Sequence, residues 1–142
     1  MRKTAFLASA ILALGGAALL SHPSPADEPK PYTVQNGAVD PHTYNGYRRY
    51  GESCLRCHGP DGAGSSYAPN LTDSLQHLTQ DQFNEVVVNG RQNVNTGSEN
   101  VMPAFGTTED VMNYLDDIYD YLKARSDGAL GRGRPKRIGD SD

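Results

Sequence analysis

Cys54-Leu55-Arg56-Cys57-His58 is the stretch on which the reading of this chain turns. Two thiols stand three residues apart, and an imidazole follows the second at once. These are the only two cysteines in 142 residues, so a disulfide-stapled miniprotein is excluded. A redox disulfide of this spacing belongs beside a β-α-β pattern, and none flanks it. A zinc site needs about four ligands, usually with a second cysteine or histidine pair; the remaining histidines, His22, His42 and His77, are scattered. What remains is the pattern for covalent haem attachment. Both thiols add to the vinyl groups of one haem edge, and the adjoining imidazole is carried under the ring, where it can bind iron.

Outward from the motif the chain reads as short helices and loops. Residues 42–57 have helical periodicity, with Tyr44, Tyr47 and Leu55 sharing a side and Tyr50 four residues before Cys54. Gly46 and Gly51 weaken that helix, though a glycine also permits close approach of a second helix. Gly59–Ser66 reads as a loop, and 68–71 as irregular backbone. Thr79-Gln80-Asp81-Gln82 has the form of a capping box, with Phe83, Val86 and Val87 following at helical spacing and Asn89-Gly90 as the stop. Residues 91–105 are expected to be a polar loop ending in Met102-Pro103-Ala104-Phe105. Thr107 or Thr108 then caps a last helix, in which Val111, Tyr114, Leu115, Ile118, Tyr121 and Leu122 keep the apolar spacing and Gly128 is the stop. The expectation is an all-α fold of three to four short helices with long loops and no strands. Its thin core leaves room for a cofactor at the centre.

A haem iron in an electron carrier usually takes a second axial ligand, and the candidates are Met102, Met112 and His77. Met102 is preferred because a loop stiffened by Pro103 can present sulfur to the far face of the ring. Met112 lies within a periodic helix, and His77 just ahead of a helix start. Sulfur favours ferrous iron and raises the reduction potential. With both axial positions closed, outer-sphere electron transfer is the chemistry left.

The ends read differently from the centre. Residues 1–26 combine Arg2 and Lys3, an apolar stretch over 5–20 and small residues at Ser24 and Ala26, the pattern of a secretory signal peptide. The expected address is the periplasm, with membrane contact only if the signal is retained. Residues 27–42 are expected to be an extended or disordered leader, 43–127 the folded domain and 128–142 a basic Gly/Arg-rich tail. The chain has 13 basic and 17 acidic residues and a formal charge of −4, which speaks against nucleic acid as a partner. The acidic body and the Arg132–Arg137 cluster instead favour protein partners steered by charge.

Taken together, Gly46-x-x-x-Tyr50-x-x-x-Cys54-x-x-Cys57-His58-Gly59, Ala68-Pro69-Asn70-Leu71, Met102-Pro103-Ala104-Phe105 and the terminal helix with Tyr119-x-Tyr121-Leu122 resemble a class I cytochrome c over about residues 43–126. The resemblance implies that the first and last helices cross beside one covalently bound haem c, with Gly46 at the contact near Tyr114 and Tyr121. It implies Cys54 and Cys57 as tethers, His58 and Met102 as axial iron ligands, the Pro69 carbonyl as acceptor for the His58 ring N–H, and Arg91 as a propionate partner. Tyr47-Arg48-Arg49-Tyr50, His58-Gly59-Pro60-Asp61-Gly62, residues 111–119 and residues 128–135 further resemble small cytochromes associated with methanol metabolism. That likeness implies a one-electron carrier rather than an enzyme. Its donor would be a periplasmic quinoprotein (PQQ-dependent) alcohol dehydrogenase, and its acceptor a terminal oxidase or a second cytochrome. The alternatives are a permanent cytochrome subunit of a dehydrogenase complex and a haem ligand sensor with an open sixth site.

Overall fold

Asp40 starts the helical part of the chain. Its Oδ1 accepts from the amides of His42 and Thr43 at 2.9 and 3.0 Å, and Pro41 occupies the first turn, where its missing N–H costs nothing. The structure, a computed structural model, describes residues 29–95 and 98–140; the expected signal segment at 1–26 lies outside the described residues. Six helices follow: α1 (Pro41–Ser53), α2 (Leu55–His58), α3 (Leu71–Ser74), α4 (Gln80–Asn89), α5 (Glu109–Met112) and α6 (Leu115–Ser126). A 3₁₀ turn spans Pro60–Gly62. The fold is therefore helical in its main body, and among the described residues no helix is long and apolar enough to cross a membrane.

The capping box at α4 is formed in full: the Gln82 amide donates to Thr79 Oγ1 at 3.3 Å, and the Thr79 amide donates to Gln82 Oε1 at 3.0 Å. The first expected helix divides at Cys54, and the last at Tyr114, which leaves helical geometry at φ −129°, ψ 23°. The Tyr114 ring lies 4.1 Å beneath the Arg49 guanidinium, so the break is docked on α1. α1 crosses α6 at Gly46, where a Cβ would overlap the carbonyl of Asp117. The close contact is thus with the backbone at Asp117–Ile118, not with the faces of Tyr114 and Tyr121. Tyr121 packs instead on Tyr47 and Tyr50, with ring centroids 5.6 Å away in each case. Around this crossing Tyr50, Leu75, Val111, Ile118, Tyr121 and Leu122 form the buried core.

The expectation of no strands is corrected at two places. Arg91–Asn95 (β3) and Ser98–Met102 (β4) form an antiparallel hairpin with Arg91 opposite Met102. Its polar sequence lacks the apolar alternation that marks a strand, so backbone pairing carries it. At the ends, Val34–Gln35 (β1) pairs with Ala38–Val39 (β2), and β2 pairs in parallel with Lys136–Arg137 (β5). The turn joining β1 and β2 is Asn36-Gly37, both residues at positive φ (52° and 80°), a hairpin signal in its own right.

The segment expected to be an extended or disordered leader and the basic tail therefore meet in one small sheet. Val39, Leu130 and Pro135 are buried. Lys30 Nζ and Tyr32 Oη reach Asp127 at 2.9 and 2.8 Å, and Lys123 reaches it at 2.6 Å. Burial alone would raise the Asp127 pKa, but these hydrogen bonds bring it down to about 2.

Candidate haem site

One helical turn sets the motif. The amides of Cys57 and His58 both donate to the Cys54 carbonyl, at 3.1 and 2.9 Å. Spacings of three and four residues place all three side chains on one face. Both thiols are free. Cys54 is partly buried, and burial followed by the neighbouring Cys57 pushes its thiol up to about 11, whereas Cys57 is exposed. His58 is only 7% exposed, and its Nδ1 lies 3.1 Å from the Pro69 carbonyl oxygen. A carbonyl only accepts, so Nδ1 carries the proton and Nε2 keeps its lone pair for a metal.

The loop after the motif is braced by residues whose roles went unread in the sequence. Gly59 sits at φ 72°, ψ 173°, which is closed to other residues, and a Cβ there would strike the Gly64 carbonyl. The Gly64 amide donates back to the His58 carbonyl at 2.8 Å, and Ser65 Oγ donates to the Cys57 carbonyl at 2.5 Å. The buried Tyr50 hydroxyl donates to the Gly59 carbonyl and accepts from the Gly62 amide at 3.1 Å. Burial pushes its pKa up to about 12, so it remains a neutral donor. The signal for Tyr50 was its place one turn before Cys54. Asp61, in the same loop, holds the tail: Arg125 lies 3.6 Å and Arg132 3.3 Å from its carboxylate, and the Gly133 amide donates to it at 3.0 Å.

Met102 is positioned from elsewhere. Gly90 ends α4 at φ 72°, and a Cβ there would come within 2.6 Å of the Met102 carbonyl and 2.8 Å of the Ala104 amide. Beyond it, Phe105 and Gly106 donate to the carbonyls of Val87 and Val88 at 3.0 and 3.1 Å. Met102 is half-buried and packs against the core. Arg91, exposed, faces it only through the hairpin register. Met112 is also half-buried, at the end of α5, and His77 is exposed in the turn after α3. The structure thus gathers Cys54, Cys57, His58 and Pro69 into one braced unit, and Met102 with Arg91 into a second unit on the end of α4. Two free thiols, an imidazole with its proton fixed on Nδ1 and a partly sheltered thioether are a donor set that suits a covalently attached haem.

A family model described as cytochrome C oxidase, cbb3-type, subunit III matches residues 42–122. The chain belongs to this family of c-type cytochromes. Cytochrome c-553I of Paracoccus denitrificans is 51% identical to it over 82% of this chain and 52% of its own length. Cytochrome c-555 of Methylococcus capsulatus is 45% identical over 67% of this chain and 72% of its own length. The crystal structure of the c-type cytochrome XoxG from Methylobacterium extorquens AM1 is similar at a TM-score of 0.69 and 46% identity, over 78% of this chain and 67% of that one. This cytochrome spans about half the length of the first of these relatives. Its cofactor is a covalently bound haem c with iron, and its fold is the all-α class I fold.

Proposed function

We propose that this cytochrome is a periplasmic one-electron carrier that receives electrons from a PQQ-dependent alcohol dehydrogenase of the methanol type and passes them to a terminal oxidase or a second cytochrome. The observation that carries the reading is the buried His58, its Nδ1 held by the Pro69 carbonyl at 3.1 Å within a turn that presents two free thiols. In this reading Cys54 and Cys57 would tether the haem, His58 and Met102 would hold its iron, and Arg91 would pair with a propionate. The haem, when bound, supplies a reversible one-electron change at iron. The chain's own part is to fix the imidazole, keep the Tyr50 brace neutral and hold Met102 on the end of α4. Such rigidity keeps reorganisation on electron transfer small. Export rests on the signal pattern at 1–26, and the donor rests on the likeness of residues 47–50, 58–62, 111–119 and 128–135 to methanol-associated cytochromes.

Stopped-flow mixing of the ferric protein with a PQQ alcohol dehydrogenase and its alcohol tests the donor. Fast, saturable, salt-sensitive reduction is expected. A normal spectrum without reduction removes that donor. The family description favours one second reading, a cytochrome fixed permanently in a larger complex. Copurification with a partner through high salt distinguishes it, because transient redox interfaces are small and dissociate easily.

A further inference from the structure

We propose that the groove where the tail crosses α1 seats a carboxylate-bearing, apolar-flanked segment of an acidic protein partner. The groove encloses about 290 Å³. Tyr47, Tyr50, Tyr121, Leu55, Arg48 and Arg134 are among the residues that line it. Tyr50 and Tyr121 are almost fully buried, so the accessible apolar surface comes mainly from Tyr47 and Leu55, with Arg48 and Arg134 in the same lining, a combination that accepts a carboxylate beside a flat side chain.

The charge at the groove is positive although the whole chain carries −4. Asp61 also lines it, but that carboxylate is already engaged by Arg125, Arg132 and the Gly133 amide. Glu52 approaches Arg48 only at 4.0 Å, with both side chains about half exposed, so the pair compensates little. The Arg134 Nη2 donates to the Tyr44 hydroxyl at 2.7 Å. That neutral partner orients the cation and leaves its charge available. Arg137, 5.8 Å from the Tyr44 ring, is already paired with Asp140 through Nε and Nη2 at 3.1 and 2.9 Å, so the positive charge at the groove comes mainly from Arg134 and Arg48.

A protein segment fits better than a free small molecule. The volume lies at or below the range of about 300–1,000 Å³ common for small-ligand sites, yet it suits one anchoring side chain of an interface. Leu55, 42% exposed, is part of the haem-attachment turn itself, so a partner seated here lies against the redox centre. The proposal rests on the carrier reading in that respect. It also gives the basic tail a definite role, since Gly133 and Arg134 form one wall.

The test is amide NMR of the reduced, haem-loaded, full-length protein titrated with the peptide acetyl-Glu-Glu-Phe-Glu-Glu-amide at low and at high salt. Shifts confined to Gly51, Leu55, Gly133 and Arg134, weakened by salt and absent with the Gln-for-Glu peptide, are expected. Arg134→Gln keeps a donor for Tyr44 but removes the charge, and binding should weaken about tenfold, the scale of one charge-assisted contact. Arg134→Lys should recover part of the loss. Shifts centred on another face, or equal binding by Arg134→Gln, overturn the proposal. Phenylacetate binding as tightly as the peptide overturns it in favour of a small aromatic acid. The visible spectrum and potential of the same samples report on the carrier reading separately: if they are normal while no peptide binds, only the groove is lost.

Discussion

The chain leaves α2 through Gly59 and α4 through Gly90 in nearly the same conformation, φ 72° with ψ 173° and φ 72° with ψ −177°, yet the two exits are secured to different degrees. After Gly59 the backbone turns back onto its own motif. Gly64, Ser65, Pro69 and the Tyr50 hydroxyl all bond to residues 57–59 or their loop. After Gly90 the chain runs out into a hairpin whose Val101 is 61% exposed, and it returns through two amides donating to the end of α4 and through Met102 and Phe105 packed against the core. The difference teaches that the histidine side is part of the fold's foundation, whereas the methionine side is an attachment to it. Damage to the first should appear as lost stability, and damage to the second as altered ligation.

Gly59→Ala is expected to have the largest effect. It forces an L residue into a glycine-only region and into the Gly64 carbonyl, which is itself pinned to His58, and should cost about 3 kcal/mol in denaturant unfolding. A loss as small as that of an ordinary surface change would break the comparison. Tyr50→Phe comes next. It leaves the Gly59 carbonyl and the Gly62 amide buried without their partner, and should cost about 2 kcal/mol with a normal spectrum retained.

Gly90→Ala meets the same backbone penalty. Here, however, the exposed hairpin can yield, so about 1–2 kcal/mol is expected. Its signature should be a weakened sulfur-to-iron absorption, because the residue displaced is Met102. If the absorption survives while stability falls as far as in Gly59→Ala, the two sides are equally integral.

Asp120, on α6, serves as a reference away from both exits. Burial, then Asp40, Asp117 and Asp116, push its carboxyl up to about 7, with His42 opposing. The folded protein therefore holds a proton that the unfolded chain has already lost, so this group costs stability as pH rises from ~4 toward ~7. Asp120→Asn should gain about 1 kcal/mol above pH ~7 after allowance for solvent screening, and nothing below pH ~4. A pH-independent effect in urea titrations would contradict that origin.

What could be read ahead of the structure follows from where the determining forces are local. The motif at residues 54–58, the Thr79 capping box and the Gly90 stop are short-range patterns whose chemistry acts within a turn or two. The hairpin at 91–102 is polar and pairs through its backbone, so side-chain periodicity does not report it. The leader and tail are separated by almost the whole chain, and their pairing through β2 and β5, like the grip of Asp61 on Arg132, depends on long-range contact. The Asn36-Gly37 turn announced part of it, and reading residues 27–42 as an extended or disordered leader missed the hairpin. At the site, His58 was legible from the attachment motif and Met102 from its proline-stiffened loop, whereas the Pro69 and Arg91 assignments came from the resemblance to class I cytochromes. The Tyr50, Ser65 and Asp61 braces are polar contacts across a folded loop that no spacing rule encodes.

The central claim is that an iron held by His58 and Met102 carries single electrons. A spectroscopic redox titration of the haem-loaded protein beside Met102→Ala tests it most directly. The account predicts one reversible one-electron step in the parent with sulfur-to-iron absorption, and in the variant a lower potential with that absorption gone. An unchanged potential and an unchanged band in Met102→Ala would contradict it.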